Sequence, residues 1–460
     1  MESAFAGLST ALSALYAQKR GLDVTGQNIA NASTDGYSRQ RVDLRPTGGS
    51  TSGAIFAVDR GSVGGVEVAG VQRITDELAA SRARTEHAAD GYLQGQKTAY
   101  GEIEQIYGEP GDTGIQSQLG KFWTSLHNLA NNPGDLATRS TVLQQAAVVT
   151  DGLRAASAGL GSMWRAGRDQ VAGTTTEINT TAAAVADLNQ AILRAQGSGN
   201  PANELADQRD LKVARLVELT GATAAGRDDG TVDVTLGGSL LVAGKINRTL
   251  VAAGASDPAG LATDPVGVRW ADTQQPVPVA SGVLASDLQT LNTILPAQIA
   301  RLDDVAASLI AVVNGQHAAG YDRAGAPGGA LLSGTDAASI AVAITDPQAL
   351  AAAGTQGAAL DGANADAMAG LSGLSAGPDS RYRQLIADLG VQSQSAQRRA
   401  GIQTTVTQQA DAAQSAQSGV NLDEEMANMM QFQRAYEAAS RVFTTIDSVL
   451  NTLINHTGIG

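Results

Sequence analysis

The sequence predicts a mainly α-helical protein with a β domain inserted in its middle. Three observations carry this. Apolar residues recur at three- and four-residue steps along most of the chain, most regularly at its two ends. Between 222 and 283 the pattern changes to two-residue alternation between Asp-Gly and Gly-Gly turns. Aromatic residues are only 3% of the 460, whereas Gly numbers 53, so the core must come from Ala, Leu, Val and Ile in closely packed helices.

The first helix places Phe5, Leu8, Leu12, Leu15, Lys19, Leu22, Gly26 and Ile29 on one stripe, the seam of a coiled coil interrupted at Lys19 and Gly26. "NIANASTDGYSRQ", 28–40, ends it with turn and cap residues, among them Asn28, Asn31 and Asp35. Gly36 is expected in a conformation barred to other residues. Tyr37 and Arg39 follow as an aromatic and a fork of donors suited to neighbouring subunits, so the stretch reads as a joint. Next come a Gly-rich loop with a strand in "GVEVAGVQRI", then helices over about 72–108, 114–130 and 136–196. "GSGNP" closes the last of these, with Asn200 as N-cap and Pro201 as first residue of the next helix.

In the β insert, "RDDGTVDVTLGGSLLVAG" is one strand pair and "VGVRWADTQQPVPV" another. Helix returns over 284–312, and 315–380 is Gly- and Ala-rich with one strand-like piece, "ASIAVAI". A final helical tract from about 380 breaks near Ser418-Gly419. Its last helix carries Met429, Phe432, Tyr436, Ala439, Phe443, Ile446, Leu450 and Leu453 as a second seam, started by an Asn421 cap and a capping box through Glu424. The segments nest. This implies an elongated multi-domain rod: 1–46 with 405–460 as a terminal coiled-coil assembly domain, 47–221 with 284–404 as a mainly helical middle, and 222–283 as a small outer β domain.

The terminal helices carry few charges: Glu2, Lys19, Arg20 and Asp23 in 1–34, and Arg434, Glu437, Arg441 and Asp447 in 426–456. A helix washed by water usually has a charged outer face. The far side of this pair is therefore expected to meet protein, and the ends to order on assembly.

A net charge of −14 argues against a nucleic-acid partner. No apolar run reaches membrane-spanning length, and the N-terminus lacks the layout of a cleaved signal. Without cysteine there are no disulfides, thiolate metal sites or Cys nucleophiles. His87, His127, His317 and His456 show no metal spacing. "GLSAG", 373–377, matches a nucleophile-elbow pattern around Ser375 but lacks the strand before it. Glu204, Asp207 and Asp210 read as a solvated or salt-linked helix face rather than a glycosidase pair. Asp322, Gly325 and Gly328 form a tight loop without alternating calcium ligands. No catalytic, metal or cofactor site is expected.

"ALSALYAQKRGLDVTGQNIANASTDGYSRQRVDL" resembles the N-terminal signature of bacterial flagellar axial proteins, and "SGVNLDEEMANMMQFQRAYEAASRVFTTIDSVLNTLIN" their C-terminal segment. "GYSRQ", "GVEVAGVQRITDELAASRAR", "NPGDLATRSTVL", "NELADQRD" and "VNGQHAAGYDRAGAPGG" narrow the resemblance to the FlgK family of hook-associated proteins. The terminal motifs alone would also admit a rod or hook paralogue. A flagellum-associated peptidoglycan hydrolase is the remaining alternative. The resemblance implies a structural subunit of a ring-like layer of identical copies between hook and filament. Its partners would be the hook protein below, hook-associated protein 3 above and a cytosolic export chaperone on the C-terminal helix beforehand. It also implies export through the flagellar type III apparatus to an extracellular position.

Overall fold

The computed structural model describes residues 2–47 and 64–455, with side chains from 7 to 452 in those ranges. The seam positions Phe5 and Leu453 therefore have no described side chain, and His456 lies outside the described residues. The protein is mainly helical with small sheets. Helix α1 spans Glu2–Ala30 and leads into a hairpin, β1 (Gln40–Thr47) and β2 (Gly65–Arg73). Helices α2 (Glu77–Tyr107), α3 (Ile115–Asn131), α4 (Leu136–Gly197) and α5 (Asn203–Thr220) follow. The insert holds β3 (Thr223–Gly226), β4 (Val232–Leu236), β5 (Ser239–Ala243), β6 (Ile246–Asn247), β7 (Leu250–Ala253) and β8 (Gly267–Trp270). The chain returns through α6 (Gly282–Gln289), α7 (Leu295–Ala318), the short strands β9 (Leu332–Ser333) and β10 (Ala341–Val342), and α8 (Ala363–Gly370). It closes with α9 (Pro378–Ser418) and α10 (Leu422–Asn455).

Local chemistry explains most boundaries. Asp76 starts α2 by accepting from the amides of Leu78 and Ala79, and Gly108, at φ +60°, ends it. Asp135 starts α4 through the Ala137 amide. The start expected for α5 at Pro201 is wrong by two residues. The Asn200 amide donates to Ala195 O and so belongs to the end of α4, while α5 begins at Asn203. Strand β1 was not foreseen, because "QRVDLRPT" has too few apolar residues to alternate; it forms by backbone pairing with β2. The boundary expected at 46/47 falls inside this ladder, and the one at 404/405 falls inside the continuous helix α9.

The insert contains an antiparallel sheet in the order β3-β4-β5-β6. Its second strand pair differs from expectation. Strand β8 pairs with β7, and Pro276 meets Arg269 through a single bridge. The Trp270–Gln275 turn, with Gln274 at φ +56°, brings that segment back without making a full hairpin. Between α6 and α7 the helix widens into a π turn at Thr290–Ile294. Pro296 follows, which has no N–H to give, and Trp164 Nε1 donates to Leu291 O at 3.0 Å.

One hydrophobic core runs from α2 to α9 and takes in the insert, with Trp164, Phe122, Leu241, Leu250 and Tyr382 fully or almost fully buried. Helix asparagines tie strands and loops to it. Asn179 accepts from Leu250 N and donates to Leu250 O, both at 2.8 Å. Asn292 does the same to Val266, and Asn314 to Leu332. Asn189, on α4, accepts from Val232 N and donates to the carbonyls of Val232 and Gly244. In each case an amide takes the place of a missing neighbouring strand. His317 is a related clasp: Nδ1 lies 2.7 Å from Gly329 O, and Nε2 accepts from Ala351 N at 2.9 Å. That pattern requires the neutral tautomer protonated on Nδ1.

Replacing Asn179 with Leu leaves the amide and carbonyl of Leu250 unpaired, at a cost of about 2–4 kcal/mol in chemical denaturation. The His317 prediction concerns pH. Burial holds its imidazole below the usual 6.5, so its contribution is intact above 6.5 and is lost as pH falls below it. The difference in melting temperature between the wild type and His317→Gln should shrink from pH 7.5 to pH 5. A constant difference would contradict the neutral-imidazole clasp.

Candidate assembly site

Helices α1 and α10 pack antiparallel, apart from the main core, whose members all come from other elements. A Cβ on Gly7 would lie 3.1 Å from Ile446 Cδ1, and one on Gly21 only 2.5 Å from the Phe432 ring. The Asn28 Nδ2 donates to Glu425 Oε2 at 2.9 Å. These pairings step by fourteen and then seven residues along both helices. Ile446 and Phe432 therefore enter gaps that only small residues leave open.

The seam expected on α1 is displaced. Its buried side is Ala11, Ala17, Gly21, Val24, Thr25 and Asn28. Leu8, Leu15, Leu22 and Ile29 are half-buried along the flank, and Leu12 is 41% exposed. The large side chains of α10 need small partners, so the leucine stripe rotates aside. On α10, Met429, Phe432, Phe443 and Ile446 are half-buried and Leu450 is buried, while Tyr436 is exposed. Further apolar side chains point outward: Tyr16 on α1, and Leu422, Met426, Met430, Val442 and Val449 on α10.

The joint after α1 is polar and closely tied. Asn28, 1% exposed, uses all four of its amide's hydrogen-bonding positions. Its Nδ2 donates to Gln40 O and Glu425 Oε2, and its Oδ1 accepts from Tyr37 OH and Gln40 N. Glu425, 2% exposed, also accepts from Arg39 Nε at 2.8 Å, and Arg39 Nη1 reaches Glu424 Oε2 at 2.8 Å. The expected capping box is thus corrected. Asn421 does accept from the amides of Asp423 and Glu424, but the Glu424 carboxylate turns to Arg39 instead of back to the cap. Tyr37 and Arg39, expected to face neighbouring subunits, spend these polar groups within the chain. Asn31 bonds only locally, to Gln27 O and Thr34; Asn28 is the joint's organising residue. Gly36 sits at φ +74°, where a Cβ would meet Leu211 at 2.4 Å.

Helix α5 supplies the platform. Its Asn203 Nδ2 donates to Gln40 Oε1 and Val71 O, and Glu204 accepts from Gln27. Asp207 Oδ1 lies 2.8 Å from Arg73 Nε, an ion pair angled away from a hydrogen bond, and Asp207 Oδ2 accepts from Ser38 N. Asp210 pairs with Arg73 and Arg209. Asp207 and Asp210 are salt-linked and turned inward, whereas Glu204 stays exposed and takes only the Gln27 amide. Burial raises the Asp207 carboxyl above its usual range although Arg73 pulls it down. The Tyr37 hydroxyl is pushed up to about 12, first by burial and then by Asp207, Glu204 and Glu425. Asparagine and acids at three- and four-residue steps in "NELADQRD" were the signal for this platform; nothing in the sequence alone linked it to residue 28.

Elsewhere, His87 pairs with Asp411 at 2.9 Å and His127 with Asp366 at 3.3 Å. No group of three metal-ligating side chains occurs among the described residues. Ser375 lies in a turn before α9, with no strand leading into it. The Asp322 side chain caps its own loop at the amides of Ala324 and Ala326. No described helix is long and apolar enough to cross a membrane.

Comparison with known sequences follows the same division into paired ends and a helical body. Residues 8–37 match the flagella basal body rod protein family, and 414–456 match the C-terminal family of flagellar basal body rod FlgEFG proteins. Residues 100–332 match the helical domain of flagellar hook-associated protein FlgK. The chain is 30% identical to flagellar hook-associated protein 1 of Bacillus subtilis over 508 aligned positions, covering 100% of both chains. It is 25% identical to the Escherichia coli protein of that name, over 97% of this chain and 99% of the other. A solved structure, described as the flagellar hook junction protein FlgK from Burkholderia pseudomallei, shares the fold with a TM-score of 0.63 at 17% identity, over 72% of this chain and 99% of that one. The chain belongs to the flagellar hook-associated protein 1 (FlgK) family, structural components of the bacterial flagellum.

Arg39→Ala leaves the Glu425 carboxylate buried without its cation, which should weaken docking of α10 by about 3–5 kcal/mol. Hydrogen exchange should then quicken along α10 while α3 and α4 keep their protection. Unchanged exchange in α10 would remove the joint's role.

Proposed function

We propose that this chain forms the junction layer between hook and filament, with α1 and α10 paired as a coiled coil that packs against the same helices of neighbouring copies. The observation that carries this reading is the outward row of apolar side chains on a helix pair that already has an internal seam. Tyr16 is 66% exposed and Met426 58%, surface that a solitary chain would leave in water. The few charges on these helices support the same reading.

On α1 the proposed interface comprises Phe5, Leu8, Leu12, Leu15, Leu22 and Ile29, while the joint residues Asn31, Gly36, Tyr37 and Arg39 hold the helix pair in place from within the chain. On α10 it comprises Met429, Phe432, Tyr436, Phe443, Ile446, Leu450 and Leu453, the segment a cytosolic chaperone would cover before export. Hook protein lies below the layer and hook-associated protein 3 above. The chain reaches this extracellular position through the flagellar export apparatus. The nested division has the terminal helices at one end of a rod, the helical middle next, and 222–283 outermost. The β1–β2 hairpin, which packs on α1, goes with the terminal unit.

Leu12→Glu with Tyr16→Glu should leave monomer stability within about 1 kcal/mol, because Tyr16 is 66% exposed and Leu12 41%. The same variant should lose filament attachment and swarming in cells. Normal swarming by the double variant at wild-type expression would overturn the interface.

A further inference from the structure

The chain has no cysteine, so its six methionines hold all of its sulfur. Three of them, Met426, Met429 and Met430, fall within the first turns of α10. Burial separates them. Met368 is fully buried in the body, Met163 and Met429 are half-buried, and Met426 and Met430 are 58% and 53% exposed. Met1 lies outside the described residues. Met426 and Met430 continue from the exposed Leu422 in steps of four, so the three share one face of the helix. Tryptophan, another readily oxidised side chain, is buried at all three of its positions, Trp123, Trp164 and Trp270. Among the described residues, the sulfur most open to solvent therefore sits in one turn of α10, within the outward apolar row.

We propose that Met426 and Met430 form a paired oxidation site, at which hydrogen peroxide bars a free chain from joining the layer. The thioether lone pair attacks one peroxide oxygen, and the S–O bond forms as the O–O bond breaks. Sulfur gives up two electrons, and the second oxygen leaves with both protons as water. With no thiol in the chain, nothing within it reacts ahead of these sulfurs. In the free chain the sulfoxide oxygens face water, and α10 keeps its internal seam through Phe432 and Ile446, so the fold is untouched. In the layer the same oxygens would be buried against apolar side chains, where a polar group is costly. Assembled copies cover their own sulfurs, so the modification sorts free chains from assembled ones. That consequence rests on the assembly reading above; the oxidation site itself does not.

The test treats the folded full chain with hydrogen peroxide at neutral pH and maps oxygen uptake by peptide mass spectrometry. Met426 and Met430 should gain oxygen at least tenfold faster than Met368. Treatment is quenched once both have reacted. The melting temperature should then be unchanged, and the critical concentration for layer formation should rise at least tenfold. Met426→Leu with Met430→Leu, apolar and of similar volume, should keep its critical concentration through the same treatment. Met426→Gln with Met430→Gln should melt with the wild type and show the rise without peroxide. Equal uptake at Met368 overturns the site. Selective uptake with an unchanged critical concentration, or a rise that persists in the leucine variant, overturns the block on assembly. An untreated wild type that forms no layer defeats the assembly reading separately, and the uptake rates then decide the site.

Discussion

Glu425 is the constraint on which the terminal architecture depends. A carboxylate buried to this degree is tolerated only where cations and donors converge on it, and here they come from a segment almost four hundred residues away. Arg39 and Asn28 can reach it only if α1 ends at the first turn of α10. The glycine gaps at Gly7 and Gly21 then fall opposite Ile446 and Phe432. Sliding α10 by seven residues would place Glu425 against Gly21, with neither partner in reach. Apolar seams built on a seven-residue repeat tolerate such slips; a single buried charge does not.

The same cluster joins two parts held by different forces. The body of the protein has a continuous apolar core, whereas α1 and α10 contribute nothing to it. Their attachment to the body runs largely through hydrogen bonds and ion pairs of Gln27, Asn28, Ser38, Arg39, Gln40, Arg73 and the polar face of α5. Polar links of this kind fix direction and register strongly while burying little apolar area. That suits a part whose outward apolar side chains still await partners.

Asparagine amides recur as connectors throughout the chain. Asn28 on Gln40 repeats what Asn179, Asn292 and Asn314 do to Leu250, Val266 and Leu332. Short sheets next to long helices have edge strands with unpaired backbone groups, and each amide offers one acceptor and one donor to a single residue's N–H and C=O. The protein thereby docks small sheets on helices without enlarging them.

The sequence by itself determined the helices, the β insert, the absence of cysteine chemistry and the family resemblance, because periodicity and turn residues act over a few neighbouring positions. It also placed Gly36 at a positive φ and Asn421 at the start of α10. Tertiary structure alone decided which face of α1 is buried. Leucine spacing pointed to one stripe, but the bulk of Phe432 and Ile446 required the glycines and alanines beside it. It also decided that Glu424 leaves its cap for Arg39, that Asn203 turns to the hairpin, that β8 pairs with β7, and that a strand poor in apolar residues forms at 40–47. Each of these outcomes depends on a partner distant along the chain, and local pattern carries no information about which distant groups will compete for a side chain.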